Sequence, residues 1–243
     1  MCVHTVRWSS NLAKVQRNAD GISPSQDSEI AQEVLRRMGC KAKFIDLPWA
    51  RALVELELGR LDVLPGAFVK PERQKYAYFS RPYLRSTNIL FIRSTLVAKY
   101  PFRNLTDIME SDFRLGVQIG VSYGPAFDAM RKHPQFQARL VELSARESAW
   151  KMLQLGRIDG LVADAYIGGT ELRDLGFGAV AVPTDLVITD EPSTFALSKR
   201  NLNETFVRGF DAALESMMSD GTYKKIRERY ETCQISATKL ACK

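Results

Sequence analysis

At 243 residues, with 45% hydrophobic and 26% charged side chains, the chain holds enough apolar material for one large domain or two small ones and has no bias toward disorder. No apolar run approaches the ~20 residues that cross a bilayer, and the sequence carries no repeat or low-complexity tract. The net charge of +6 admits an anion-binding or nucleic-acid role. The densest basic groups, at 69–85, 131–139 and 223–229, are interleaved with Glu, Asp or aromatics. A solvated basic surface is therefore expected, with no nucleic-acid partner.

In chain order, "VHTVRW" alternates as a strand and "DSEIAQEVLRRMG" as an amphipathic helix. Ile30, Val34 and Leu35 give that helix its apolar spacing, Asp27 or Ser28 can cap it, and Gly39 ends it. "KAKFIDL" reads as a second strand, "PWARALVELELGRL" as a helix that opens with Pro and closes at Gly59, and "DVLPG" as a short third strand. Such β-α-β-α-β order with short connections predicts a parallel sheet. The alternation restarts with "FRLGVQIG", a Ser-Tyr-Gly-Pro turn, "AFDAMRK", "ARLVELS", "ARESAWKMLQLG" and "IDGLVAD". Two α/β units are expected side by side. Extended segments at 86–94 and 193–199 lie between and around them, and helical stretches follow to about residue 230. If those helices return to the first unit, the chain crosses between lobes twice and a cleft lies at the hinge. The expected division is 1–91 with 195–243 as lobe 1 and 92–194 as lobe 2. Ligands of open α/β sheets bind beyond the carboxyl ends of the strands, which nominates the loops after Trp8, Leu47, Gly66, Gly120 and Asp164.

Four cysteines occur, at 2, 40, 233 and 242, with no CxxC pair, and the two histidines, His4 and His133, are far apart in sequence. No metal site is expected on that spacing, and no cofactor motif occurs. Cys2 and Cys40 each precede a strand pattern, so parallel neighbours would place both thiols at the same strand ends. Cys233 and Cys242 flank a short tail that would otherwise fray. Bridges 2–40 and 233–242 would use all four and imply an oxidising compartment; four unrelated reduced thiols remain the alternative. Met1-Cys2 runs straight into the first strand without a charged or apolar leader, so a secretory signal, if there is one, is expected to have been removed.

Several stretches together resemble the family 3 bacterial extracellular solute-binding proteins, the amino-acid-type receptors of ABC importers. They are "GRLDVLPGAFVKPERQKYAYFSRPY" at 59–83, "GRIDGLVAD" at 156–164 and "DGTYKKIRERY" at 220–230. The resemblance implies a two-lobed α/β fold of the periplasmic-binding-protein type (type II), each lobe a mostly parallel sheet flanked by helices. It also implies a monomer in the periplasm that hands a small amino acid or organic anion to an ABC transporter permease. In that reading Arg73 takes the ligand's carboxylate, a task suited to a planar, permanently charged fork of donors. Asp164, at a strand end, receives the α-ammonium. Gly120, Val121 and Ser122 lead into a helix and offer backbone N–H groups and a hydroxyl, though the family usually has Thr at one or both of 121 and 122. Gly66, Ala67 and Phe68 form the turn into the Arg73 segment, and Phe68 stands where amino-acid-specific members commonly carry Thr or Ser. Trp8 and Trp49 are equally readable as pocket walls or core.

Two other functions use the same fold. A dehydratase of cyclic acids would need an acid or base, for which Asp164, Asp190 and Glu191 are the candidates, but no His falls near a nominated loop and no nucleophile motif is present. An extracellular sensory domain would continue into a membrane segment, and none follows Lys243 in this sequence.

Overall fold

The computed structural model describes Cys2–Trp8 and 25–230 in full, together with the backbone of Cys233–Ser236 and Lys239–Cys242. Its elements run β1 (Cys2–Trp8), α1 (Gln26–Arg37), β2 (Cys40–Asp46), α2 (Trp49–Glu57), β3 (Val63–Ala67), α3 (Pro71–Gln74), β4 (Ala77–Phe79) and β5 (Leu84–Arg93). They continue with α4 (Leu105–Met109), β6 (Leu115–Gln118), α5 (Gly124–Met130), α6 (Pro134–Gln137), β7 (Leu140–Leu143), α7 (Arg146–Gln154), β8 (Gly160–Asp164) and α8 (Ala165–Leu175). Last come β9 (Ala181–Ser198), α9 (Glu204–Ser219), α10 (Thr222–Tyr230), β10 (Cys233–Ser236) and β11 (Lys239–Cys242). The chain forms two compact units, passing from the first to the second at Arg85–Ser86, within β5, and back at Glu191–Pro192, within β9.

In the first unit β1 pairs with β2 and β3 in parallel, while β9 pairs antiparallel with β3 and β4. The cap of α1 is Ser25, not Asp27 or Ser28. The Ser25 hydroxyl accepts from the Ser28 amide and the Ser28 hydroxyl accepts from the Ser25 amide, a reciprocal cap that satisfies two donors at the helix start. Ile30, Ala31, Val34 and Leu35 are fully buried along one face, as their spacing requires. They join Val6, Val63, Phe195, Leu197, Phe210, Leu214 and Ile226 in one core. The return of β9, α9 and α10 thus completes the first unit's core.

The Cys2–Cys40 disulfide is present, between residues directly opposite in the β1–β2 register with Cα atoms 4.6 Å apart. In the C-terminal hairpin, which groups with the second unit, Cys233 and Cys242 stand opposite each other. Their side chains, and with them the expected 233–242 bridge, lie outside the described residues.

The second unit pairs β6 in parallel with both β7 and β8, with β5 antiparallel on β8. Two cores flank this sheet: one holds Ile92, Phe113, Val117, Phe127 and Phe136, the other Phe91, Trp150, Leu153 and Leu172. Phe91 meets Trp150 edge to face at 5.4 Å, and each such fully buried ring contributes roughly 1.5–3 kcal/mol by leaving water. Gly168 lets α8 approach, because a Cβ there would come within 2.6 Å of the Phe91 ring.

Candidate functional site: Arg73 in the first unit and Asp164 in the second

Because β1, β2 and β3 are parallel, their carboxyl ends at Trp8, Asp46 and Ala67 share one edge of the first unit. Segment 9–24, with the loop after Trp8, lies outside the described residues. At the end of β3 the pairing register with β9 shifts between Leu64 and Ala67, and Gly66 adopts φ 78°, a left-handed conformation that favours glycine. This bulge sets the direction of Ala67 and Phe68. Thr194 Oγ1 donates to the Ala67 carbonyl at 2.7 Å and fixes it.

Phe68 is buried, and its carbonyl accepts from Arg73 Nη1 at 3.1 Å. Arg73 sits in α3, which begins with Pro71, and only 6% of it is exposed. Its guanidinium carbon lies 5.9 Å from the centre of the Trp49 ring, and that of Arg7 lies 5.5 Å from the same ring. Trp49, the first residue of α2, is buried, as is Trp8. Arg7 Nε donates to the Leu47 carbonyl at 3.1 Å, tying the end of β1 to the turn after β2. The result is an aromatic ring flanked by cations at the carboxyl edge of the sheet, where each cation gains from the ring's quadrupole. Arg81 and Arg51 are paired elsewhere: Arg81 is exposed and pairs with Glu215 at 2.7 Å, while Arg51, also exposed, pairs with Glu55 at 2.5 Å.

In the second unit the parallel strands end at Gln118, Leu143 and Asp164. Asp164 is both the last residue of β8 and the cap of α8: Oδ1 accepts from the Ile167 amide at 3.0 Å and Oδ2 from Ser86 Oγ at 2.8 Å. Burial pushes its carboxyl above the usual Asp range, against the lowering influence of those bonds and of Arg146. Arg146 is itself anchored. Its Nε donates to Glu171 at 2.8 Å and its Nη1 to Gln118 Oε1 at 3.3 Å, while Trp150 Nε1 donates to Glu171 at 2.7 Å. Burial opposes the Arg146 charge, but Glu171 outweighs it and holds the guanidinium above its usual range. Glu171 is only 3% exposed, so the carboxylate is buried with its partners.

At the segment from Gly120 to Ser122, the structure puts a different residue at the helix start. Tyr123 occupies the cap position of α5 and makes no side-chain cap bond. Ser122 Oγ donates to Asp128 at 3.2 Å and accepts from the Gly124 amide at 3.4 Å, and the Val121 amide donates to the Gln118 carbonyl. Gly120 has φ 77° at the turn after β6. The Tyr123 hydroxyl accepts from the buried Gln118 amide at 2.8 Å, and burial pushes its pKa up to about 12. Asp190, exposed, accepts from Thr87 Oγ1 at 2.9 Å.

Sequence reasoning did not single out Arg7, Ser86, Arg146 or Glu171. Arg146 and Glu171 are 25 residues apart on different helices, and no spacing rule links them. Arg7 had one signal, its place beside Trp8 at the end of the first strand.

Comparison with known proteins gives the family. The model for bacterial extracellular solute-binding proteins, family 3, matches residues 16–232. ABC transporter arginine-binding protein 1 of Escherichia coli (strain K12) is 22% identical over 209 residues, 84% of this chain and 80% of that protein. The L-cystine-binding protein TcyJ of Escherichia coli (strain K12) is 24% identical over 212 residues, 87% of this chain and 75% of that protein. Among solved structures, an ancestral arginine-binding protein bound to glutamine superposes with a TM-score of 0.79 at 21% identity, covering 95% of this chain and 98% of that one. The fold is therefore the α/β fold of the periplasmic amino-acid-binding proteins, with two mostly parallel units. On the family match, the chain belongs to the bacterial extracellular solute-binding proteins, family 3.

Proposed function

We propose that this protein is a periplasmic receptor, without chemistry of its own, that takes up a small amino acid or related organic anion and delivers it as a monomer to the permease of an ABC importer. Arg73 receives the ligand's carboxylate and Asp164 its ammonium group. Phe68, Trp49 and Trp8 supply apolar surface, and Gly66, Ala67, Gly120, Val121 and Ser122 supply the backbone around them. The observation that carries the reading is the buried Arg73 guanidinium, oriented by the Phe68 carbonyl and faced by Trp49. A cation fixed in this way meets a carboxylate in a fork of parallel hydrogen bonds without first being ordered.

The amino-acid-binding proteins named above support the ligand class, and the Cys2–Cys40 disulfide supports an oxidising compartment. Among the described residues, no helix is long and apolar enough to cross a membrane. The test starts with a thermal-shift screen of amino acids and small carboxylates, then titrates the best ligand by calorimetry against the unaltered protein, Arg73→Lys and Arg73→Ala. Removing one half of a buried charge pair costs about 2–5 kcal/mol, so Arg73→Ala is expected to lose measurable binding. Arg73→Lys keeps the charge but loses the fork and should bind weakly. Affinity unchanged in Arg73→Ala rejects the assignment.

A further inference from the structure

A cluster away from the strand ends described above brings Cys2, His4 and Cys40 together at the amino ends of β1 and β2. Their donor atoms all lie within 4.8 Å of one another, and His4 Nε2 is 3.1 Å from Cys2 Sγ. The strand geometry produces this. Cys2 and Cys40 are opposite in register, and His4, two residues along β1, points to the same face as Cys2. The other ring nitrogen, His4 Nδ1, lies 3.5 Å from Asp62 Oδ2. Asp62 is held from three further directions: Oδ2 accepts from the Thr5 amide at 2.8 Å and from Thr5 Oγ1 at 3.0 Å, and Oδ1 accepts from Asn201 Nδ2 at 2.8 Å. Phe206 packs edge-on against the imidazole at 4.7 Å.

We infer that Cys2, His4 and Cys40 form a metal site that is open in the reduced protein and closed by the disulfide, taking a thiolate-preferring d10 cation of the Zn2+ or Cu+ class. Two cysteine sulfurs and one imidazole suit such ions and not Mg2+ or Ca2+. A histidine whose second nitrogen faces a fixed carboxylate is the arrangement that orients metal-bound imidazoles elsewhere. Asp62 and Phe206 hold the imidazole so that Nε2 faces the Cys2 sulfur, and the ring is therefore already oriented for a cation that the reduced thiols would share with it. Cys2 is exposed, which leaves a fourth ligand position to solvent and gives a reductant access.

The chemistry balances as follows. A dithiol reductant transfers two electrons and two protons to the Cys2–Cys40 bridge and leaves as its own disulfide. The cation then displaces both thiol protons to solvent, forming two metal–sulfur bonds and one metal–nitrogen bond to His4 Nε2, while Nδ1–H faces Asp62. The thiolate is the strong ligand for such a cation and a disulfide sulfur is not, so forming the bridge removes the site and a bound cation withholds both thiolates from oxidation.

The test uses the full chain, reduced with a phosphine under anaerobic conditions and titrated with Co2+ as the optical probe. Cys233→Ser/Cys242→Ser removes the remaining thiols. One equivalent of Co2+ should produce sulfur-to-cobalt charge-transfer absorption that Zn2+ abolishes, and the oxidised protein should show none. His4→Ala and Asp62→Asn should weaken binding, the latter by about 10–100-fold, as expected for loss of a carboxylate behind a ligating imidazole. As a readout that needs no cysteine variant, Zn2+ should slow alkylation of Cys2 and Cys40 in the reduced unaltered chain, followed residue by residue by peptide mass spectrometry. Equal alkylation with and without Zn2+, or Co2+ affinity unchanged by His4→Ala in a protein with intact circular dichroism, overturns the proposal.

Discussion

The two units place the proposed site residues by the same local device and then load it differently. Gly-Arg-Leu-Asp at 59–62 enters β3 in the first unit, and Gly-Arg-Ile-Asp at 156–159 enters β8 in the second. In each, the aspartate amide donates to a backbone carbonyl at or just before the neighbouring parallel strand: Asp62 to Thr5 and Asp159 to Arg114. Each carboxylate in turn accepts from that same residue's amide, at 2.8 Å from Thr5 and 3.0 Å from Arg114. The device fixes where the strand starts, and so where its carboxyl end delivers Phe68 and Arg73 in one case and Asp164 in the other. The difference lies in the remaining partners. Asp62 takes neutral donors, the Thr5 hydroxyl and the Asn201 amide, beside His4. Asp159 takes two guanidiniums, Arg114 Nε at 2.9 Å and Arg93 Nη2 at 3.0 Å. The neutral arrangement leaves a carboxylate able to serve a histidine; the charged one spends it on holding β5 and the entry to β6 together.

Breaking the device should therefore cost more in the second unit. Asp159→Asn leaves Arg93 and Arg114 facing a neutral amide that presents an N–H₂ to at least one of them. The expected loss is about 3 kcal/mol, the lower end for a broken buried pair because the Arg114 side chain is 46% exposed. Urea unfolding of the ligand-free protein measures it. Asp62→Asn keeps an acceptor for neutral donors and should cost about 1 kcal/mol, one ordinary hydrogen bond. Equal losses in the two variants would show that the shared backbone pairing, not the partners, sets the energy.

Much of this was legible in the sequence because it rests on periodicity. The repeated strand–helix order, the buried face of α1 and the parallel pairing that joins Cys2 to Cys40 all follow from local pattern. The Arg73 segment was singled out by a different route, the resemblance of one contiguous stretch, 59–83, to the family 3 solute-binding proteins. What was not legible depends on residues that meet only after folding. Arg146, Trp150 and Glu171 lie on two helices with a strand between them. His4 was counted by its distance from His133, whereas its relevant neighbours are Cys2, two residues away on the same strand face, and Cys40 across the register. The true cap of α1 was missed for a local reason: Ser25 and Ser28 bond each other, so the pair starts the helix before the first acidic residue.

Asp164 offers the finest test of how the two units differ, because it combines an observed cap with the proposed ligand contact, which Arg73 does not. It caps α8 through Oδ1, and burial raises the pKa of its carboxyl in the ligand-free protein. A carboxyl whose pKa is raised on folding binds its proton more tightly in the native state. It therefore favours folding at low pH, and that contribution is lost as pH rises through the native pKa, leaving a penalty at neutral pH. Asn caps a helix as well as Asp does, whereas Ala costs about 1 kcal/mol at that position. Asp164→Asn should accordingly remove the charge, keep the cap and leave the ligand-free protein slightly more stable at neutral pH, while weakening binding of a ligand that carries an ammonium group. Asp164→Ala should lose both stability and binding. Subtracting the unfolding free energy of Asp164→Asn from that of the unaltered protein across the acid range isolates this one group from Glu33 and Asp220, whose carboxyls are held low by arginine and hydroxyl or amide partners and act in the opposite sense. The difference should turn negative as pH rises above the ordinary Asp range. A difference that stays flat would mean that the Asp164 carboxylate carries no burial penalty before the ligand arrives.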